Sequence, residues 1–470
     1  MKHDGRIVVA LRREFSDWRR WLARAVVIAV AAASGLTVVG FTWLTERAIQ
    51  QFFAIQTAWW WSPLLLTPLC TAAIVWTTRR YFPGAAGSGI PQVMAALDPS
   101  VDAAHRGLFV SMKLTVAKIA LTAWGLLAGL SLGREGPSVQ IAAGIMHGAK
   151  RWLPKRSAVT EHGLLVAGGA AGIAAAFNTP LAGVMFAIEE LSRTPEQRNS
   201  GLIISAIVLA GLVAVSTYGN ATYFGVIRVP VIDISLLGPG LLTAFFSGVA
   251  GGLFARLLIV SLGGQSRDVY SRWRLRRPVV FAAACGLAVA LIGVTTHGAT
   301  FGSGYAYTKA MLEGSENTPL VYVLFKFIAT WLTTWSGVPA GLFAPSLAIG
   351  AALGNDMAVV TGYPHAATLI ALGMAGFLAA VTQAPLTAFI IVMEMVDGHA
   401  MVLSLMACAL IASAVSRLLS RPLYATLAEM QLGRIPRETM RQPDPLEHEI
   451  SEEREPHEGA PRNVASVDHP

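Results

Sequence analysis

Three short turns in the chain carry the residue types that hold an anion without a charged side chain. GSGIP at 87–91, GREGP at 133–137 and GLFAP at 341–345 each set glycine ahead of proline at the start of an apolar stretch. Proline fits the first helical turn, where its missing N–H costs nothing, and glycine lets the backbone bend sharply just before it. The unpaired N–H groups of a helix start, together with the positive end of its dipole, make a site for a negative ion. Partial charges also let the ion leave, because a full countercharge at low dielectric would bind a small anion too tightly to release it. One such turn is most often a plain helix connection. Several in one apolar chain raise the question of a shared site.

Two acids are the other residues able to do chemistry. Glu135 lies inside the second turn and Glu190 ends the apolar run 181–188. An ionisable residue in or at the edge of apolar sequence is costly, and it marks an ion or proton path unless an ion pair explains it. For Glu190 the plain alternative is an ion pair at a helix end, with Arg193 and Arg198 nearby in sequence.

The elements that position these residues are membrane helices. Of the 470 residues 54% are apolar and only 14% charged, and the mean hydropathy is +0.54; a water-soluble globule carries about 25% charged residues. The runs 25–44, 58–78, 199–217, 236–262, 278–296 and 399–416 are each long enough to cross a bilayer, since about 20 helical residues span its hydrocarbon core. Their continuous apolar character, without alternation, predicts helices and not a barrel. The fold class expected is therefore an all-α, polytopic membrane protein.

Lys and Arg cluster at 12–24, 79–80, 150–156, 193–198, 267–277 and 417–421, between the spans. The positive-inside rule puts these clusters, and both termini, in the cytoplasm. The last 39 residues hold five Arg against nine Asp and Glu, so the rest of the chain carries +12 of the overall +8. That distribution explains the isoelectric point near 9.6 as topology and excludes nucleic acid as a partner. Residues 1–24, with seven Lys and Arg among apolar positions, read as a cytoplasmic basic amphipathic helix. Residues 432–470 read as a disordered polar tail.

Self-comparison finds one pattern twice. Gly168–Glu190 returns as Gly373–Met395, GREGPS at 133–138 returns as GLFAPS at 341–346, and Lys118 matches Lys326. The spans 25–44 and 236–262 have their basic clusters at opposite ends, so the two copies are inverted, 25–235 against 236–431. Such folds place broken helices at the bilayer midplane, and Gly and Pro supply the breaks at 83–91, 133–137, 179–183 and 337–345. Residues kept in both copies, such as Glu189 and Glu394, suggest packing or capping. Glu135 is matched by Phe343 and Glu190 by Met395; an acid in one copy only suggests function. Lys118 and Lys326, being matched, are expected to be structural.

Other residues invite less. Cys70, Cys285 and Cys408 lie in apolar segments without metal or disulfide spacing, and His147, His297 and His365 are scattered, so no metal and no cofactor is expected. Trp59, Trp60 and Trp61 suggest an aromatic belt. Asp356 receives no role. A membrane-embedded enzyme would need a nucleophile with its base or a metal set, and HExxH, GxSxG and Cys/His clusters are all missing from the sequence. A receptor or scaffold would not need acids in one repeat only.

GSGIP, GREGP and GLFAP in this order, followed by RPLY at 421–424, resemble the signature regions of the CLC chloride channels and chloride/proton antiporters. The resemblance runs from about residue 25 to 431, and it is to the prokaryotic type, the membrane domain alone. It implies chloride and protons as substrates, most simply in antiport, with a passive chloride channel as the alternative and fluoride or nitrate as less fitting anions. It implies an anion site built from Ser88 with Gly87 and Gly89, from Gly133, Arg134 and Gly136, from Leu342 and Phe343, and from the Tyr424 hydroxyl. Glu135 resembles the gating glutamate that competes with the anion and carries the proton from outside, and Glu190 the inner proton glutamate. Proline at the position of Ser88 goes with nitrate preference in that family, so Ser88 argues for chloride. A homodimer is implied, with contacts expected on the apolar faces of 181–189, 201–216 and 403–418, as is a multi-pass location in a bacterial inner membrane, in contact with lipid.

Overall fold

In the computed structural model the described residues are 18–154, 157, 159–192, 200–219, 222–225, 234–264, 268–314 and 320–433. The first half contains α1 (Trp18–Ala58), α2 (Pro63–Tyr81), α3 (Ile90–Leu97), α4 (Met112–Leu127), α5 (Glu135–Gly148), α6 (Glu161–Phe177), α7 (Pro180–Phe186), which passes into a π-helical turn over Ala187–Leu191, and α8 (Ser200–Tyr218). The second contains α9 (Leu237–Gly263), α10 (Val269–Arg276), α11 (Pro278–Thr295), α12 (Tyr305–Leu312), α13 (Val321–Ser336), α14 (Phe343–Thr361), α15 (Ala366–Thr382), α16 (Pro385–Met395), α17 (Val402–Arg417) and α18 (Leu423–Leu432). The protein is all-α, and six of its helical stretches are long and apolar enough to cross a membrane.

Residues 18–24 do not form the separate amphipathic helix expected there. They are the first turns of α1, which runs unbroken for 41 residues because no proline interrupts it. At 1.5 Å per residue α1 is about 60 Å long, so it tilts or projects beyond a core of about 30 Å. The remainder of the expected amphipathic helix, the basic cluster at 193–198 and all but the first two residues of the tail lie outside the described residues.

The repeat is visible in its hydrogen bonds. Gly133 N donates to Gly341 O at 2.8 Å and Gly341 N returns the bond to Gly133 O at 3.1 Å, an antiparallel bridge between matched residues. The Glu189 carboxylate accepts from Leu386 N at 3.1 Å and Thr387 N at 2.6 Å, at the start of α16. In exchange, Glu394 accepts from Leu181 N at 3.2 Å and Ala182 N at 2.8 Å, at the start of α7. Each repeat thus caps a helix of the other with a carboxylate on the positive end of its dipole. Lys118 Nζ donates to Ala85 O at 2.8 Å and Gly87 O at 2.7 Å, and Lys326 Nζ to Thr300 O at 2.9 Å and Gly302 O at 2.8 Å. Both lysines are fully buried. Each ties down the glycine turn that begins a short helix, α3 in one repeat and α12 in the other. This second turn, Gly302-Ser303-Gly304, is the copy of Gly87-Ser88-Gly89, a match that self-comparison of the sequence had not found.

Helix pairs pack through small residues, as membrane helices do when no solvent drives them together. A Cβ on Gly168 would come within 2.7 Å of Ala143 Cα, and one on Gly172 within 2.5 Å of Ser138 O, so α6 lies directly on α5. In the other repeat Gly354 and Gly373 bring α14 and α15 equally close.

The crossed capping predicts a matched pair of losses. Glu189→Ala and Glu394→Ala should each remove about 1–2 kcal/mol of stabilisation and lower the thermal transition in detergent by similar amounts. A large shift for only one of the matched pair would contradict the reciprocal arrangement.

Candidate anion site and inner cleft

Three glycine turns converge where the repeats meet. The Gly133–Gly341 bridge sets the starts of α5 and α14 side by side, and Ala340 N donates to Gly87 O at 3.2 Å, joining the α3 turn to them. Gly87 and Gly89 have φ of +77° and +111°, which a side chain would strain. Gly136 has no room for a Cβ because the Ser88 Oγ already lies there, and a Cβ on Gly89 would meet Gly136 O. These close approaches explain why glycine brackets each turn.

Ser88 and Tyr424 are buried, and their hydroxyls lie within reach of each other and have no other hydrogen-bond partner among the described residues. The Tyr424 ring stacks on Phe343 at 5.9 Å with 7° between the planes. Phe343 in turn packs against Phe177 and Phe186. This aromatic wall holds the phenol beside the start of α14. Leu342 and Phe343 are the N-cap and first residues of α14, both buried, so the first amides there have no intrahelical acceptor. Buried polar hydrogens without partners are costly. Two hydroxyls and a helix start gathered at one buried point form a donor set for an anion.

Glu135 is fully buried in the first turn of α5. One carboxylate oxygen, Oε2, accepts from Ala344 N at 3.4 Å, and the other, Oε1, has no partner. The side chain therefore lies across the gap between the two helix starts and engages an amide that an anion would use. Gly133 must lack a Cβ, since one would overlap the Glu135 carboxylate.

Some residues assigned to the site from sequence do other work. The Arg134 guanidinium turns away, donating to Glu46 Oε1 at 2.8 Å, to the Tyr223 hydroxyl at 3.3 Å and to Thr42 O at 3.4 Å. Only its backbone remains near the site. The Gly89 amide donates to Gln92 Oε1 at 2.9 Å, while Gln92 Nε2 donates to Ala86 O, so Gln92 closes the turn and uses that amide. The Gly87 carbonyl is taken by Lys118 and Ala340. Gln92 could have been found from its place three residues after a helix start, where it completes a capping box; Glu46 and Tyr223 leave no such signal.

Glu190 stands apart from this cluster. It sits in the π-helical turn after α7 and lines a cleft of about 340 Å³ together with Asp98, His162 and Glu429. Helices α3 and α18 connect the two places: α3 runs from the Ser88 turn to Asp98, and α18 from Tyr424 to the Glu429 end. His162 was not singled out from the sequence.

Comparison with known proteins places this architecture. Residues 70–417 match the family described as "Voltage gated chloride channel". The H(+)/Cl(-) exchange transporter ClcA of Citrobacter koseri is 31% identical over 432 residues, covering 86% of this chain and 88% of its own. The protein of the same name from Cronobacter sakazakii is 33% identical over 443 residues, with 87% and 90% covered. Among solved structures, a slow cyanobacterial Cl-/H+ antiporter superposes with a TM-score of 0.74 at 24% identity, covering 88% of this chain and 98% of that one. A CLC-type fluoride/proton antiporter gives 0.70 at 21%, covering 86% and 96%. At those identities the structures speak to fold alone, and the fold is shared over most of each chain. With the family match over most of its length and relatives above 30% identity covering nearly all of it, the chain belongs to the voltage gated chloride channel family.

Proposed function

We infer that this protein is a multi-pass membrane transporter that exchanges chloride for protons. The observation that carries the reading is the Glu135 carboxylate on the Ala344 amide at the start of α14. A carboxylate and a halide compete for the same N–H groups, so only one holds them at a time. Protonating Glu135 removes its claim and admits the anion; chloride leaving lets the acid return and lose its proton. Chloride binding and proton binding are thereby coupled through one set of donors. Ser88 and Tyr424 supply the hydroxyls that complete the anion's shell. Glu190, at the inner cleft, hands protons between Glu135 and the cytoplasm.

Antiport is favoured over a passive channel by this inner acid, and by the exchange activity in the names of the relatives above. Transport is favoured over enzymatic chemistry by the exchange activity in the names of relatives that match this chain over more than four fifths of its length. Chloride and protons are the substrates, and the donor set calls for no cofactor. The basic clusters support cytoplasmic termini in a bacterial inner membrane. Exposed Leu181, Ile188, Leu212, Leu403, Leu410 and Leu418 support a homodimer contact on the faces named from sequence, with lipid on the remaining apolar surface.

Two substitutions test the coupling. In proteoliposomes under a chloride gradient, Glu135→Gln should pass chloride without moving protons, and Glu190→Gln should do the same at reduced flux. Tyr424→Phe should be milder, since one hydroxyl among several donors contributes about 0.5–1.5 kcal/mol, or at most about tenfold in affinity. Proton pumping that survives Glu135→Gln would sink the gating assignment.

Selectivity is tested at Ser88. Ser88→Pro removes a donor from the anion's shell and should raise nitrate transport relative to chloride, measured as efflux of each anion from matched liposomes. An unchanged ratio would show that selectivity is set elsewhere.

A further inference from the structure

The cleft beside Glu190 carries more titratable chemistry than a single inner acid requires. Its lining includes Asp98 at the end of α3, His162 in the first turn of α6, Glu190, and Glu429 on α18; no lysine or arginine is among the described residues that line it. Among the described residues, one cation pairs with a carboxylate of the cleft itself and others gather on Glu161 beside it. Arg421 pairs with Glu429 at 2.9 Å. Glu161, next to His162, holds Arg106 at 3.4 Å, Lys150 at 2.6 Å and the His147 ring at 3.2 Å. Asp98 accepts from Ser100 N at 2.9 Å and Ser100 Oγ at 2.6 Å. The described walls thus bring three carboxylates and one imidazole to a single cleft.

An exposed carboxylate of ordinary pKa holds a proton at pH 7 only about once in five hundred, whereas an ordinary imidazole holds one about a quarter of the time. Near neutral pH an imidazolium is therefore a more abundant proton donor than hydronium, and an imidazole on the same cleft as a glutamate can speed proton transfer to it. We propose that His162 is the proton-loading residue of the inner pathway, collecting protons from the cleft and passing them to Glu190. This rests on the role of Glu190 proposed above. In the step, an imidazolium N–H bond of His162 breaks and an O–H bond forms on the Glu190 carboxylate, directly or through one water. The imidazole then takes its next proton from the cleft, and nothing is oxidised or reduced.

The test is the pH profile of coupled exchange in proteoliposomes made with the full chain, comparing wild type, His162→Asn and Glu190→Gln. His162→Asn should keep the wild-type chloride-to-proton ratio but fall about tenfold in rate near pH 7.5, and should recover to within about twofold near pH 5, where bulk protons load the glutamate directly. Recovery in acid shows that the variant is folded. Superimposable profiles for His162→Asn and wild type would overturn the proposal, and so would an equal loss at every pH, which marks a structural role. The reading beneath it fails separately: if Glu190→Gln pumps protons as wild type does, the inner glutamate is misassigned. If Glu190→Gln is uncoupled while His162→Asn matches wild type, only His162 is wrong.

Discussion

The site depends on one constraint, that a small anion must be held inside a bilayer by partial charges alone. Helix starts provide such charges, but a helix that crosses the membrane keeps its start at the surface. The chain meets the constraint by breaking helices and facing two starts toward each other through the paired bonds of Gly133 and Gly341. Because this bridge joins matched residues of inverted repeats, it places α5 and α14 symmetrically, and their dipoles converge on one point. The crossed caps of Glu189 and Glu394 and the two buried lysines secure the flanking turns in the same symmetric way. The carbonyl acceptors of Lys118 and Lys326 also satisfy two ammonium groups that burial would otherwise make prohibitive.

The proposed exchange rests on positions where this symmetry is broken. At matched positions, Glu135 in one repeat reaches the amide of Ala344 in the other, while Phe343 presents a ring that stacks on Tyr424. In the proposed exchange the first repeat contributes the titratable competitor and Ser88, and the second contributes Phe343, the start of α14 and Tyr424. Ser88 is buried in the site, whereas its counterpart Ser303 is partly exposed and accepts from Tyr305 N at 3.3 Å. The two glycine turns have the same backbone design, but only the first is proposed to serve the ion. Helix α18, at the end of the second repeat, brings Tyr424 to the proposed site.

Much of this was legible in the sequence because the signals are local. Gly-x-x-x-Pro turns, apolar length and basic clusters each report one element, and duplication supplied the topology. The shared residues were correctly read as structural: Glu189 and Glu394 are caps, and Lys118 and Lys326 bind carbonyls. Other features depend on distances across the fold and left no local trace. Arg134 was placed at the site through its motif, yet its guanidinium is drawn to Glu46, 88 residues away in sequence. Gly89 was placed there as well, and its amide is spent on Gln92. His162 and Asp98 are unremarkable as single residues and acquire meaning only by sharing a cleft with Glu190. The first boundary, at residue 24, was misplaced because a charged, tryptophan-bearing segment and the apolar run after it form one uninterrupted helix.

The central claim is that the Glu135 carboxylate and chloride compete for one set of donors. The most direct measurement is a calorimetric titration of chloride into the purified protein across a range of pH. The account predicts that wild-type affinity weakens as pH rises and the acid ionises, and that Glu135→Gln binds with a pH-independent affinity equal to the wild-type limit in acid. Wild-type affinity that does not change with pH, or a Glu135→Gln variant that retains the wild-type pH dependence, would contradict it.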